Sequence, residues 1–268
     1  MTPVIRLHEA VSLSDRFPLL AGVTLEVAEG EVVHLRGPNG AGKSSLLRAC
    51  AGLEQVVSGV ATVLGHDLTV DRQSVRREVG LLGHATSLYD ELTVEHNVRF
   101  AVRASRARPD GVEASLARLG LDGRLRTTPV RKLSAGQRRR VAIAVLVARR
   151  PRLWLLDEPH AGLDADGRDL VDDLVRGASD AGATVLLASH ELERASAVAD
   201  RVVTISGGRV VPGPVEAGTG DGAAAGGPDA GEPRAGGRGA TALVRPVAPL
   251  PAPPTAAGAD TGAGCDVA

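Results

Sequence analysis

The chain has 268 residues, 43% of them hydrophobic, enough for one substantial core with a smaller attached subdomain. Its formal net charge of -1 lacks the basic excess of a dedicated nucleic-acid binder. One Trp, one Tyr and two Phe leave the core to Leu, Val and Ala, while two cysteines, Cys50 and Cys265, fit neither a disulfide framework nor a metal spacing and point to a reducing compartment.

In chain order, the opening "MTPVIRLHEAVSL" is interrupted by Pro3, Arg6, His8 and Glu9 and has no signal-peptide core. Short β-branched runs then recur: "VIRLH", "VTLEV", "EVVHLR", "VATVL", "EVGLL", "RLWLLD", "ATVLLAS" and "RVVTIS". Longer segments of helical pattern separate several of them, which predicts an α/β domain. From about Ala85 to Arg150 three helical patterns follow one another without a strand, "TVEHNVRFAVRAS", "DGVEASLARLGL" and "GQRRRVAIAVLVARR", and read as a helical insertion. The longest apolar run, Val141 to Ala148, is far short of the ~18 to 20 residues that cross a bilayer. The domain is expected over residues 1–211. Residues 212–268, dominated by Ala, Gly and Pro, are expected to be disordered.

"EVVHLR" followed by "GPNGAGKSSLLRACAGL" is strand, glycine loop and helix, the context that makes GxxxxGK[ST] a phosphate loop. Gly37, Gly40 and Gly42 let backbone N–H groups crowd around phosphate oxygens. The helix starting near Lys43 adds its positive end. Lys43 reaches the β- and γ-phosphates and Ser44 offers a hydroxyl to Mg²⁺. Of 31 basic residues only Lys43 and Lys132 are lysines, so a lysine in the tight loop stands against the bias of the chain.

"RLWLLDEPHAGLD" is an apolar strand that ends in Asp157 and Glu158, at the edge where parallel sheets bind ligands. Asp157 is expected to hold Mg²⁺ through water and Glu158 to polarise an attacking water. The next strand ends at Ser189 and His190. His190 contacts the γ-phosphate or orients Glu158 and the water, unless it is an ordinary surface or capping histidine. "LSAGQRRR", Leu133 to Arg140, also looks built for phosphate, although the chain already has a complete phosphate loop. Its run Arg138 to Arg140 reads as the solvated face of an amphipathic helix rather than as a nucleic-acid patch.

The ordered set of Gly37–Ser44, "LSAGQ" at Leu133–Gln137, "LLDEP" at Leu155–Pro159, "AGLD" at Ala161–Asp164 and His190 resembles the ATP-binding subunits of ABC transporters, from about Val4 to Val211. The resemblance implies an α/β P-loop NTPase fold of ABC type, with an antiparallel β subdomain and the helical insertion as a second subdomain. It implies ATP hydrolysis with Mg²⁺, and it adds Asn39 and Ser45 to the nucleotide-binding set. In this family two ATPase domains face each other head to tail. Ser134, Gly136, Gln137 and Asp164 would therefore act on nucleotide held by a second subunit, most simply a copy of this chain. A separate transmembrane permease is implied, docking around Thr86 to Val98, with the ATPase on the cytoplasmic face of the membrane and no nucleic-acid partner. An adenine-stacking aromatic is also implied; Phe17 is the candidate, with core packing as its alternative.

Where most of the family carries a glutamine after the strand "VGLL", this sequence has His84, an imidazole in place of an amide, and a pH-sensitive ATPase is the expectation. "GH" at Gly83–His84, the "LSAGQRRR" signature and "LLRACAGL" resemble the ATPase of the haem exporter used in cytochrome c maturation. A drug or lipid efflux ATPase is the alternative.

Overall fold

The computed structural model of the protein describes residues 3–14 and 17–211. In chain order come β1 (Ile5–Ser14), β2 (Phe17–Val27), β3 (Val32–Arg36), α1 (Lys43–Cys50), β4 (Val56–Val63), β5 (His66–Asp67) and β6 (Val79–Leu82). Helices α2 (Val94–Ala104), α3 (Val112–Arg118) and α4 (Ala135–Arg149) follow with no named strand between them. The chain then returns to β7 (Leu153–Asp157), α5 (Ala165–Asp180), β8 (Thr184–Ala188), α6 (Leu192–Val198), β9 (Arg201–Ser206) and β10 (Arg209–Val211). The predicted tail 212–268, Cys265 included, lies outside the described residues.

Two sheets organise these elements. The smaller is antiparallel, in the order β2-β1-β4-β5; the larger runs β10-β9-β3-β8-β7-β6, parallel from β9 to β6 with β10 antiparallel at its edge. Strands of the parallel sheet are covered on both faces, which is why "LWLL" and "TVLLA" read as unbroken apolar runs. Alternate side chains enter two cores. Trp154 and Leu156 of β7 meet the helices α2 to α5, while Leu153 and Leu155 face α1 and the antiparallel sheet. β1 and β2 are longer than "VIRLH" and "VTLEV" suggested. Their pairing shifts register between Leu7 and Ala10, at Ala10/Val11 and at Ser12/Leu13, and these bulges break the alternation that marks a strand in sequence.

The helical insertion carries its own ionic brace. Glu95 in the first turn of α2 accepts from Arg99 Nε at 2.6 Å and from Arg126 Nε and NH2 at 2.7 and 2.8 Å, while Arg126 also reaches Glu113 in the first turn of α3. Those two guanidinium groups hold the Glu95 carboxyl down at about 2. A carboxylate whose pKa is depressed on folding stabilises the fold above its ordinary value, and that contribution fades as pH falls toward the folded value. Glu95→Gln is therefore expected to cost ~1 kcal/mol at neutral pH. Thermal melts of variant and wild type should converge as the pH falls from about 4.5 to about 2; a gap that stays constant with pH would refute the brace.

Candidate functional site

β3 delivers the chain into the glycine loop, and α1 carries it away. Gly37 has φ 153, and a Cβ placed there would sit 2.1 Å from the carbonyl oxygen of Ile205 in β9, so the loop leaves the sheet through a gap that only glycine fits. Gly42, at φ 106, is the N-cap of α1 and makes no side-chain cap, which leaves first-turn N–H groups of the helix facing the loop. The turn between β9 and β10 braces the loop from behind, with Gly208 N–H donating to Ala41 O at 2.8 Å. Lys43 is only 7% exposed. Its ammonium donates to Gly37 O at 2.7 Å and Pro38 O at 3.0 Å, folded across the loop it would otherwise serve.

The ends of β7 and β8 lie beside this loop. Glu158, one residue past β7, has φ 49, left-handed backbone that costs a side chain about 1–2 kcal/mol. Its N–H donates to Ala188 O of β8 at 2.8 Å. Its carboxylate accepts from His190 N–H at 3.1 Å, and His190 Nε2 lies 3.3 Å from the other oxygen. Of the two roles open to His190, contact with Glu158 is the one seen here. Together Asn39, Gly40, Gly42, Lys43, Ser44, Ser45, His84, Asp157, Glu158 and His190 line one cleft of about 400 Å³. Ser44 hydroxyl and Asp157 carboxylate are hard oxygen donors lining the same cleft, a pair that suits Mg²⁺ completed by phosphate and water.

Gly37 and Phe17 do not line that cleft. Gly37 instead offers its carbonyl to Lys43. Phe17 is 77% exposed at the start of β2, which rules out core packing; Pro18 and Leu19 reach the cleft in its place.

Ser134, Gly136, Gln137 and Asp164 line a second cleft of about 410 Å³, which shares no residue with the first. Ser134 is the N-cap of α4: its Oγ accepts from Gln137 N–H at 3.2 Å, and Gln137 Oε1 accepts from Ser134 N–H at 3.0 Å. Gln137, expected to bind nucleotide, thus spends its side-chain oxygen on closing the helix end. Gly136 lets α4 approach the loop after β7, since a Cβ there would lie 2.9 Å from Gly162 O. Asp164 caps α5 through Gly167 N–H at 3.0 Å and accepts from Arg140 NH2 at 2.8 Å; these bonds, the arginine's foremost, hold its carboxyl below the usual range.

The solvated-face reading of Arg138–Arg140 is overturned. Arg138 pairs with Asp90 at 2.8 Å, Arg140 with Asp164, and Arg139 is 5% exposed. The Arg139 guanidinium donates to Gly83 O, Asp157 O and Glu158 O at 2.7, 2.9 and 2.6 Å. Burial pushes its pKa down, opposed by the charges of Asp157 and Glu158. Two further buried groups escaped the sequence. Asn97 of α2 accepts from Tyr89 N–H and donates to the carbonyls of Tyr89, Leu92 and Thr93, so it shapes the segment leading into α2. His160, in "DEPH", meets Asp172 of α5 at 2.9 Å, and Asp172 in turn pairs with Arg194 of α6. A polar residue inside an apolar helical pattern was the available signal for Asn97; His160 and Arg139 carried none, because each looks like an ordinary member of a polar run.

The sequence profile of the ABC transporter family matches residues 20–161. A cytochrome c biogenesis ATP-binding export protein of Cupriavidus pinatubonensis is 36% identical over 196 residues, covering 71% of this chain and 84% of that protein. A daunorubicin/doxorubicin resistance ATP-binding protein of Streptomyces peucetius is 40% identical over 195 residues, with 71% of this chain and 58% of that protein covered. A sulfate/thiosulfate import ATP-binding protein of Nocardia farcinica is 38% identical over 200 residues, with 72% and 60% covered. The match thus spans less than two thirds of the length of these last two relatives. The solved ATP-binding subunit of an ABC transporter superposes with TM-score 0.70 at 28% identity, over 77% of this chain and 88% of that one. A dimeric ATP-binding cassette bound to ADP and phosphate, 24% identical and with TM-score 0.72 over 81% of this chain and 100% of that one, shares the fold.

Gly37→Ala tests the gap beside Ile205. It is expected to lower stability by ~2 kcal/mol because backbone, not a movable side chain, occupies the space. Gly30→Ala, at φ 77 with nothing within 4 Å, isolates the cost of backbone strain. Equal melting temperatures for the two variants would refute the clash.

Proposed function

Since the chain belongs to the ABC transporter family as one of its ATP-hydrolysing subunits, we propose that two copies close head to tail around ATP and drive a separate membrane permease. Each copy supplies the phosphate loop to one nucleotide and the start of α4 to the other. The observation that carries this reading is the pair of clefts: the residues suited to phosphate fall into two groups that one chain does not bring together. Ser134 keeps its hydroxyl hydrogen available for a phosphate oxygen, and the α4 N-terminus adds its positive end.

In this mechanism the Lys43 ammonium exchanges the carbonyls of Gly37 and Pro38 for phosphate oxygens. Asn39, Gly40, Gly42 and Ser45 line the cleft beside Lys43, and Ser44 and Asp157 would hold Mg²⁺, which would supply positive charge against the phosphates. Glu158 takes the proton of the attacking water as general base, with His190 fixing its carboxylate from the side. His84 lines the same cleft, at the place the family's glutamine would take. Asp164, tied to Arg140, supports the second cleft from the start of α5.

A groove of about 660 Å³ shares Ser44, His84 and Asp157 with the nucleotide cleft and opens between the segment Thr86–Tyr89 and α2 and α4. Exposed Tyr89 and Phe100 meet edge to face there, ring centres 5.0 Å apart. We assign this groove to the permease, which places the chain on the cytoplasmic face of the membrane. Among the described residues no helix is long and apolar enough to cross a membrane.

For cargo we propose haem destined for cytochrome c maturation. Gly83–His84 and the Ala135 signature support it, as does the match over 84% of a cytochrome c biogenesis export protein's length. Drug or lipid efflux is the second reading, favoured by identities of 39% and 40% to daunorubicin-resistance ATPases, of which 62% and 58% are matched.

Deleting the gene and measuring covalent haem in c-type cytochromes separates the two: loss restored by wild type and not by Glu158→Gln supports haem, and normal c-haem sinks it. Lys43→Ala is expected to abolish nucleotide binding in equilibrium titrations. Glu158→Gln should keep binding, lower kcat by about 10² to 10⁴ and accumulate ATP-bound dimer on gel filtration; normal turnover by this variant would remove Glu158 as the base.

A further inference from the structure

Arg139 differs from both of its neighbours. Arg138 and Arg140 pair with carboxylates near the surface, whereas Arg139 is buried and, among the described residues, has no carboxylate within ion-pair distance. All its bonds go to backbone carbonyls in segments that carry the reactive side chains. NH1 donates to Gly83 O at 2.7 Å, and the peptide bond it grips is the one that leads into His84. NH2 donates to Asp157 O at 2.9 Å and Glu158 O at 2.6 Å, one hydrogen for each, while Nε lies 3.5 Å from Pro159 O. A planar fork with fixed donor directions holds these three positions relative to one another, which a single ammonium does not do.

The fork also has a fixed origin. It projects from α4, the helix whose first turn is Ala135–Gly136–Gln137 and whose N-cap is Ser134. The capping box ties that first turn to its N-cap, and Gly136 lies against Gly162, so the turn is held at its cap and at its flank. Arg139, in the next turn of the same helix, joins that first turn to the backbone at Gly83, Asp157 and Glu158.

We propose that Arg139 is the positioning residue that locks Glu158 and His84 to the signature helix, so that the base and the His84 loop stand in working geometry only when α4 is seated. This link rests on the two-chain reading of the site. It adds a route inside one chain from the cleft it offers its partner to the cleft where it hydrolyses its own ATP.

The test is steady-state ATPase of the full chain with Arg139→Lys and Arg139→Met, together with ATP affinity and thermal melts. Both variants are expected to lose about 100-fold in kcat, the scale of a misplacement near 1 Å, with KM and ATP affinity within twofold of wild type. Lysine keeps the charge and loses the fork, so wild-type kcat in Arg139→Lys overturns the proposal even where Arg139→Met fails to fold. Equal losses in kcat and ATP affinity overturn it too, since they mark a structural role. In a double-mutant cycle, Ser134→Ala is expected to cost less kcat in the Arg139→Lys background than in wild type; strictly multiplicative losses break the link to α4. Glu158→Gln run alongside tests the underlying reading by itself. Normal turnover there removes the catalytic edge, whereas a wild-type-like Arg139 variant beside a dead Glu158→Gln removes only the link.

Discussion

β8 is paired on both sides, and its register decides what meets at the edge of the sheet. Ala188 stands opposite Leu35 of β3 on one side and Asp157 of β7 on the other. The three strands therefore run out at the same level, so the phosphate loop after β3, the carboxylates at the end of β7 and His190 after β8 emerge as neighbours. A shift of one residue in either pairing would turn every side chain of a strand to the opposite face, exchanging the members of two tightly packed cores. Packing on both faces thus enforces the alignment that the site requires, and the chemistry inherits its geometry from Leu153, Leu155, Leu186 and Val33 as much as from its own polar groups.

Once the strands end, the sheet no longer satisfies the backbone, and the polar groups left over are taken up by residues from elsewhere in the chain. Glu158 O, Asp157 O and Gly83 O receive the Arg139 guanidinium, and Glu158 N–H goes to Ala188 O. Leaving a buried carbonyl without a donor costs about 1–3 kcal/mol, so these bonds are what allows Glu158 to keep its left-handed backbone. A chain of side chains adds a second tie from the same strand end to α5 and α6. His160 follows Glu158 by two residues, and through Asp172 and Arg194 it connects that strand end to α6, just after His190. The base is held by its flanks as well as by the contact of His190 with its carboxylate.

What the sequence disclosed follows from which interactions are local. The phosphate loop, the DE pair and the strand that ends at His190 are each a contiguous string whose residue types carry the mechanism, and all three fall in one cleft. The α/β order was legible because buried parallel strands are short apolar runs and the helices between them are not. Arg139 was not legible: a triple arginine at a helix start reads as solvent-facing, and its partners lie in segments 18 to 56 residues away along the chain. Phe17 was legible only in part, with core packing excluded and its ring left beside the cleft-lining Pro18 and Leu19. A rare aromatic before the loop invited a ligand, yet β2 begins with the ring turned outward, 77% exposed.

The distribution of aromatics bears on the proposed permease contact. Trp154, at 4% exposure, is the one aromatic that the core consumes, and Tyr89 and Phe100 stay 55% and 47% exposed against each other. Large rings left half in water are costly unless another surface covers them, and rigid aromatics of this kind anchor protein interfaces. Their placement is controlled from inside: Asn97, 2% exposed, fixes the backbone at Tyr89 with its amide, and Arg138 ties Asp90 to α4. A partner seated on the two rings would therefore press on a segment that is hydrogen-bonded to the helix bearing Ser134 and Arg139. The groove and the backbone at Glu158 are then joined through α4 by side-chain hydrogen bonds, a connection through which a permease seated on the two rings would act on the ATP cleft.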